Sequence, residues 1–190
     1  FNRGISMIYR MGTYAQRFAG ETTLIPGDGT TAWTNVVGQT TSLGKSVPSS
    51  TAVGWGKTGQ FSSLPSNTDG YCEFTAVYMS GQSVNGIYMA GFSLSNAIST
   101  YADIDYKWYF EGSSGNRLSV LNVSRQNAVT GVPLADVLKV ERTIIGGVGT
   151  VRFYRNGSLF YTHPTTTTSE LFFAVDMYRY IGIENCKLVY

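Results

Sequence analysis

The sequence carries few charges. Charged residues make up 14% of the 190 and the formal net charge is +2, whereas about a quarter of an average globular chain is charged. The Lys and Arg residues are scattered, which excludes the basic patch typical of a nucleic-acid-binding protein. No apolar stretch approaches the length that a membrane-spanning helix needs. We therefore expect neither a nucleic-acid partner nor insertion into a membrane.

Metal-binding and nucleophilic side chains are also scarce. The chain has one histidine, His163, and two cysteines, Cys72 and Cys186, which lie far apart in sequence. A zinc site needs more such ligands at closer spacing. The cysteines are therefore either two buried thiols or one long-range disulfide. His163 precedes Pro164 in a threonine-rich loop, a setting that favours a solvated side chain over a catalytic base.

The sequence is rich in residues that form strands and turns. Hydrophobic residues reach 43%, as in a globular chain. Gly, Ser, Thr, Asn and Tyr take the place of charges, and Gly, Thr and Asn are poor helix formers. Alternating segments, clearest at 71–79 and 104–110, recur about every 8–12 residues, and Asn156-Gly157 is a strong hairpin signal. Alternation places Cys72 with Phe74 on one face of the first segment and Ile104 with Tyr106 and Trp108 on one face of the second, and it leaves open whether Arg142 points in or out. This pattern predicts an all-β chain folded as an antiparallel sandwich or barrel.

The first 45 residues differ from the rest. They mix apolar and basic residues without a clean period and contain the turn signal Pro26-Gly27-Asp28-Gly29. We expect residues 1–45 to form an N-terminal arm or linker with one or two strands, which packs on the domain or reaches a neighbouring subunit. Residues 46–190 are expected to form the sandwich domain.

Several short runs follow one another in a characteristic order along the chain. They are Asp69-Gly70-Tyr71-Cys72-Glu73-Phe74-Thr75-Ala76, Met89-Ala90-Gly91-Phe92-Ser93, Tyr101-Ala102-Asp103-Ile104-Asp105-Tyr106, Asp136-Val137-Leu138-Lys139-Val140-Glu141-Arg142, Val151-Arg152-Phe153-Tyr154-Arg155-Asn156-Gly157 and Phe173-Ala174-Val175-Asp176. This order resembles the concanavalin A-like lectin/glucanase jelly rolls of bacterial surface, secreted or phage proteins. It is also similar in outline to SPRY and laminin-G-type sandwiches. The resemblance covers residues 50–190 and implies an antiparallel jelly-roll sandwich.

The resemblance also bears on the cysteines and on calcium. In such jelly rolls an early strand and the last strand lie side by side, which implies that Cys72 and Cys186 could form a disulfide, with two free buried thiols as the alternative. Lectins of this kind often bind calcium, and Asp103, Asp105 and Asp176 could supply oxygen ligands. The alternative is that these carboxylates cap turns. We expect no other cofactor.

Carboxylates suited to catalysis are not apparent. Glycosidases of this fold use paired carboxylates on one strand. The nearest candidate is Asp103 with Asp105, and the chain lacks the glutamates of the Glu-x-Asp-x-x-Glu strand of the enzymes. The sequence therefore predicts a domain that is not an enzyme.

Sugar binding requires an exposed aromatic ring beside polar groups, and the chain has 13 tyrosines and 3 tryptophans. Trp108 and Trp55 are predicted to lie in the core and Trp33 to be exposed. Tyr109, Asp105 and Lys107 share one strand face. Tyr178, Arg179 and Tyr180 lie in a loop before the last strand, and loops often carry function. We predict that these six residues bind carbohydrate.

Together these features predict a non-catalytic recognition or attachment module that binds a glycan or cell-surface polymer. The expected location is extracellular, on a cell surface or on a virion surface. The alternative is a structural building block of an extracellular fibre, surface layer or virion, in which the N-terminal arm makes subunit contacts and drives self-assembly.

Overall fold

The structure, a computed structural model, confirms the all-β antiparallel sandwich. Within the described residues the chain forms fourteen strands and two short 3-10 helices, Tyr101–Asp103 and Gly112–Ser114. The strands pair antiparallel in two sheets, whose inner faces enclose the main core. The described residues are 22–25, 32–50, 52–82, 85–122 and 124–190.

The larger sheet has eight strands within the described residues. Its order is β12-β11-β10-β5-β14-β3-β2, and β1 pairs with β14. The bounds are β1 Thr23–Leu24, β2 Gln39–Ser42, β3 Lys45–Pro48, β5 Gly70–Tyr78, β10 Leu138–Ile145, β11 Val148–Arg155, β12 Ser158–Thr162 and β14 Ile181–Val189.

The smaller sheet has six strands within the same residues, in the order β4-β13-β6-β7-β8-β9. The bounds are β4 Lys57–Leu64, β6 Ile87–Ser93, β7 Tyr106–Glu111, β8 Arg117–Leu121, β9 Arg125–Val129 and β13 Leu171–Arg179.

Aromatic side chains from both sheets form the centre of the main core. Phe74 of β5 stacks on Phe173 of β13 with ring centroids 5.7 Å apart, and Trp108 of β7 meets Phe153 of β11 at 5.4 Å. These four side chains are fully buried. Each contributes about 2–3 kcal/mol of hydrophobic stabilisation, which holds the two sheets together. The alternation of apolar residues predicted this inward face because side chains alternate across a strand.

A second apolar cluster lies on the other side of the six-stranded sheet. Met89, Tyr109 and Ala174 project from the strands, and Ile98 and Ile104 of the segment 94–105 cover them. The sequence placed Ile104 on the same face as Tyr106 and Trp108. That prediction is wrong, because Ile104 precedes β7 and turns towards the second cluster.

Two predictions about tryptophans are also wrong. Trp33, expected to be exposed, packs against Phe61 and Phe173 of the main core. Trp55, expected in the core, is half-buried and packs against the second cluster instead. Trp108 lies in the core as predicted.

The prediction that the His163 side chain is solvated is also wrong. The side chain is 6% exposed, not solvated, and its ring packs against the rings of Tyr106 and Tyr161. Thr165 donates a backbone hydrogen bond to Nδ1 over 3.2 Å, and the Tyr106 ring lies 4.8 Å away. Burial lowers the pKa of His163, so the neutral imidazole is favoured.

The two cysteines lie on neighbouring strands, β5 and β14, as expected for an early and a last strand of a jelly roll. Both are buried free thiols in the structure, so the thiol alternative holds and not the disulfide. Burial raises the pKa of both thiols, so neither is in the reactive thiolate form at neutral pH.

The described part of residues 1–45 pairs with both sheets. β1 pairs with β14 in the larger sheet, and Thr34 bridges Gln60 of β4 in the smaller sheet. Residues 1–21 and 26–31, which include the predicted turn and most of the predicted subunit-contacting arm, lie outside the described residues. Among the residues that are described, no helix combines the length and apolarity needed to cross a bilayer.

Candidate functional site

The candidate site lies on the outer face of the six-stranded sheet, which is the side turned away from the main core. Strand register aligns Thr58, Asp176, Met89, Tyr109 and Ser119 in one row across β4, β13, β6, β7 and β8. Two segments that are distant in sequence, 52–56 and 94–105, lie over this row. The outer face is therefore built by loops as well as by strands.

Asp176 is the centre of this arrangement. Its side chain is fully buried, and the backbone N–H of Gly56 donates to Oδ1 over 2.9 Å and to Oδ2 over 3.2 Å. The backbone N–H groups of Tyr101, Met177 and Lys57 also hydrogen-bond to the carboxylate. Burial raises the pKa of Asp176 to about 6, although these hydrogen bonds favour the ionised form and oppose the shift.

Lys57 also binds the segment 52–56. Its Nζ donates to the carbonyl oxygen of Gly54 over 2.8 Å and to that of Tyr178 over 3.2 Å, and Gly54 N–H donates to Tyr178 over 3.1 Å. Desolvation lowers the pKa of Lys57, and the negative charge of Asp176 partly restores it. The segment 52–56 is thus held to the end of β13 by both a buried anion and a partly buried cation.

Three aromatic rings converge above Asp176. The Trp55 ring lies 4.6 Å from the Tyr101 ring and 5.3 Å from the Tyr178 ring, with interplanar angles of 49° and 54°. All three residues are half-buried, so each leaves part of its surface to solvent. We call Trp55, Tyr101 and Tyr178 the aromatic platform. Tyr178 was predicted from the sequence, whereas Trp55 and Tyr101 were missed.

A signal for Trp55 was present in the sequence. It lies between Gly54 and Gly56, whose φ angles are +148° and +93°. Glycine on both sides indicates a sharply bent loop, since L side chains rarely adopt such φ values. A tryptophan at the apex of such a loop is exposed to solvent more readily than one inside a strand.

Lys107 and Tyr109 lie on the outer face as predicted, but the structure covers them. They are 8% and 9% exposed. Lys107 Nζ donates to the Ile104 carbonyl oxygen and lies 6.0 Å from the Tyr101 ring. Desolvation lowers the pKa of Lys107. The segment 94–105 covers both side chains, so they pack beneath the platform and are not available to a ligand.

Tyr109 belongs to a polar group at the edge of the face. Its hydroxyl donates to Glu111 Oε1 over 2.6 Å, Arg125 donates to the same oxygen over 2.8 Å, and the Arg125 guanidinium lies 4.6 Å from the Tyr109 ring. Desolvation, followed by the carboxylate of Glu111, raises the pKa of Tyr109 to about 12. The phenol is therefore a hydrogen-bond donor throughout the physiological range.

The predicted calcium ligands each bind backbone N–H groups. Asp103 accepts from the N–H groups of Ser99 and Thr100 over 2.8 and 3.1 Å, and Asp105 accepts from Leu94 N–H over 2.7 Å. The hydrogen bond from Ser99 is the main cause that lowers the pKa of Asp103. Within the part of the chain that the structure describes, no three His, Cys, Asp or Glu residues gather as a metal-binding group. The arrangement fits turn capping, the alternative that the sequence left open for these carboxylates.

Arg179 and Tyr180 lie beside the platform. The loop expected for Tyr178, Arg179 and Tyr180 is shorter than predicted: Tyr178 and Arg179 are the last residues of β13, and only Tyr180 lies between β13 and β14. Arg179 Nε donates to the Asn85 carbonyl oxygen over 2.7 Å, and its guanidinium lies 5.8 Å from the rings of Tyr178 and of Tyr180. Tyr180 adopts φ +56°, in the left-handed region that is uncommon for a bulky residue. The structure thus brings Tyr178, Arg179 and Tyr180 to one end of the outer face.

Comparison with known proteins shows the fold. No protein-family model and no curated protein sequence matches the chain. Among solved structures, the carbohydrate binding module CBM66 from Bacillus subtilis is 12% identical, with 86% of this chain and 96% of that chain covered and a TM-score of 0.51. The metal-free carbohydrate recognition domain of Emp46p is 8% identical, with 92% and 89% covered and a TM-score of 0.54.

The Ca2+-bound exoplasmic/lumenal domain of VIP36 is also similar. It is 8% identical, with 90% of this chain and 82% of that chain covered and a TM-score of 0.51. Identities this low show the architecture and not the ligand. The chain therefore has the antiparallel β-sandwich architecture of these domains, as the sequence resemblance implied.

Proposed function

We propose that this domain is a non-catalytic glycan-recognition module whose ligand binds on the outer face of the six-stranded sheet. The observation that carries the proposal is the aromatic platform of Trp55, Tyr101 and Tyr178. The apolar C–H face of a sugar packs on an aromatic ring, while its hydroxyl groups need polar partners at the edge of that ring. Arg179 provides hydrogen-bond donors beside the platform.

Hydrogen bonds within the chain hold the platform in place without a ligand. Asp176 binds the backbone of both loops that carry Trp55 and Tyr101. Lys57 donates to the carbonyl oxygens of Gly54, which precedes Trp55, and of Tyr178. A preorganised site loses little conformational entropy on binding, which favours affinity for a weakly interacting ligand such as a sugar.

The structural neighbours support a glycan as the ligand class. Two of them are named as carbohydrate binding or recognition domains. The VIP36 domain is described as exoplasmic/lumenal, which supports an extracellular or surface location for this domain. The alternative prediction, a structural building block assembled through the N-terminal arm, finds no support among the described residues, and we do not propose it.

The carboxylates of the outer face favour binding over catalysis. Asp176 is fully buried beneath backbone N–H groups, and Glu111 binds Tyr109 and Arg125. A glycosidase needs one carboxyl group to reach the glycosidic oxygen and a second to reach the anomeric carbon or a water molecule. Neither carboxylate has the open approach that these roles require.

A glycan array tests the proposal, with the isolated chain applied in the presence and absence of calcium. We expect binding to one sugar class, with no calcium requirement. Trp55→Ala and Tyr178→Ala should each weaken it about tenfold or more, since an anchoring aromatic residue contributes about 1.5 kcal/mol or more.

The matched control is Tyr154→Ala, which removes a half-buried tyrosine from the outer face of the eight-stranded sheet. This variant should bind as the parent does. Equal loss in all three variants, or no loss in the two platform variants, would contradict the proposal.

A further inference from the structure

A groove lies on the outer face near the start of β13, apart from the aromatic platform. Phe172 of the groove and Tyr178 of the platform are both on β13, and the six residue steps from one to the other span about 20 Å of extended strand. The groove has a volume of about 510 Å³, within the range of about 300–1,000 Å³ of small-ligand sites. We call it the amide groove. Its walls come from the segment 32–35, β4, the start of β13 and the loop after β6.

The amide of Gln60 fixes the geometry of the groove. Gln60 is 1% exposed, its Oε1 accepts from Asn35 Nδ2 over 2.6 Å, and its Nε2 donates to the Ser95 carbonyl oxygen over 2.7 Å. Asn35 Nδ2 also donates to the Asn96 carbonyl oxygen over 2.8 Å. Three segments far apart in sequence are therefore joined by one amide network, which gives the groove a defined shape before binding.

The conformation of Asn35 suits this role. Its φ is +51°, in the left-handed region that asparagine tolerates better than most residues. Among the hydrogen bonds of the described residues, both bonds of the Asn35 amide use its nitrogen. The carbonyl oxygen of the amide remains as an acceptor at the exposed end of the groove.

The floor and the rim indicate the chemistry of the ligand. Phe172 supplies a half-buried ring, and Ser62 and Ser63 supply hydroxyl groups. The residues that line the groove carry no charge. The Ser63 hydroxyl donates to Glu170, whose carboxylate therefore lies at the rim and repels an anion. Aromatic, amide and hydroxyl groups together suit a hydroxyl-rich, uncharged molecule.

We propose that the amide groove binds a neutral sugar unit, with the ring against Phe172 and the hydroxyl groups on the amides and serines. This inference rests on the proposed function, glycan recognition, and adds a second subsite to it. The sugar unit at this subsite is neutral rather than acidic, and its position is separate from the aromatic platform.

The test is a titration of the isotopically labelled chain with free sugars, followed by NMR. The probes are neutral hexoses and N-acetylhexosamines, compared with glucuronate and N-acetylneuraminate. A neutral sugar should shift the side-chain amide signals of Asn35, Asn96 and Gln60, and the two acidic sugars should not. Stronger shifts with an acidic sugar at these amides would overturn the proposal.

Two variants sharpen the test. Ser62→Tyr places a large side chain in the groove and should weaken the neutral sugar about tenfold or more. Ser158→Tyr makes the same substitution at an exposed position on β12 of the other sheet and should have no effect.

The outcomes separate this inference from the proposed function. Shifts at the Trp55 indole alone, unchanged in Ser62→Tyr, would overturn the amide groove and leave glycan recognition by the platform intact. No response at either place to any of the sugars would overturn both.

Discussion

The two outer faces of the sandwich differ in which parts of the chain their side chains contact. On the eight-stranded sheet, Lys139 lies between the Tyr71 and Tyr154 rings at 4.9 and 4.3 Å and pairs with Glu141 at 3.0 Å. These partners lie on one strand or on strands directly paired with it. On the six-stranded sheet, a fully buried Asp176 binds loops from distant parts of the chain.

This difference indicates which face is better suited to bind a ligand. On the eight-stranded face, partly exposed side chains of opposite charge pair with each other on the same strand or on neighbouring strands. Such pairs contribute little to stability. The loops over the six-stranded face instead hold the Trp55 and Tyr101 rings above a buried charge. A face of that kind is suited to recognition, because its groups are ordered before the ligand arrives.

The largest difference between the faces should appear when one carboxylate is removed from each. Asp176→Ala leaves several buried backbone N–H groups without an acceptor, and we expect the free energy of unfolding to fall by about 3 kcal/mol. Urea denaturation at neutral pH measures this change.

Glu73→Ala is the counterpart on the eight-stranded face. It breaks the 2.8 Å pair with Lys187, and the expected loss is below about 1 kcal/mol because that pair is partly exposed. Similar losses for Asp176→Ala and Glu73→Ala would show that the two faces do not differ in this way.

The next effect is the pH dependence of stability. Burial raises the pKa of Asp176 to about 6 in the folded chain, against about 3.9 for an unfolded aspartate. Between these values the folded chain binds the extra proton, so the free energy of unfolding falls as pH rises from about 4 to 6, by about 2–3 kcal/mol.

Asp176→Asn isolates this contribution from other groups. His163, whose pKa burial lowers, produces the opposite slope in part of the same range. The difference in unfolding free energy between the parent and Asp176→Asn should therefore change between pH 4 and 6 and stay constant above pH 7. A constant difference throughout would contradict the assignment.

A smaller effect is expected at the edge of the six-stranded face. Tyr109→Phe removes the hydroxyl that donates to Glu111 over 2.6 Å and leaves Arg125 as the partner of that carboxylate. The loss of this partly buried hydrogen bond should lower the free energy of unfolding by about 1 kcal/mol. Thermal unfolding monitored by circular dichroism would detect it, and no change would show that Tyr109 is not part of the support.

The smallest effect is expected on the eight-stranded face. Lys139→Met removes the charge that lies between Tyr71 and Tyr154 and keeps an apolar stem of similar length. Cation–π contacts and ion pairs at such sites contribute about 0.5–1 kcal/mol, and packing of the methionine offsets part of the loss. Urea denaturation should give a small difference that becomes smaller in high salt, because salt screens partly exposed charges. A loss as large as that of Asp176→Ala would show that the two faces do not differ.

The sequence predicted what depends on neighbouring residues. Alternation placed Cys72 and Phe74 of β5 and Trp108 of β7 inward, because side chains of a strand alternate between its faces. It left open whether Arg142 points in or out. The structure buries Arg142, which donates to backbone carbonyl oxygens such as that of Thr68 over 3.0 Å.

The sequence could not predict what depends on loops crossing the sheet. Lys107 and Tyr109 alternate as exposed residues do, yet the segment 94–105 covers them. Trp55 joins Tyr101 and Tyr178 only after three parts of the chain meet above Asp176. The amide groove likewise needs Asn35 beside Gln60, a proximity of distant residues that no local pattern encodes.

The central claim is that the outer face of the six-stranded sheet binds the ligand, and hydrogen–deuterium exchange with and without the bound glycan tests it most directly. We expect slower exchange in the segments 52–63, 94–105 and 171–179 and unchanged exchange in β10 and β11. Protection confined to β10 and β11 would place the ligand on the opposite face and contradict the account.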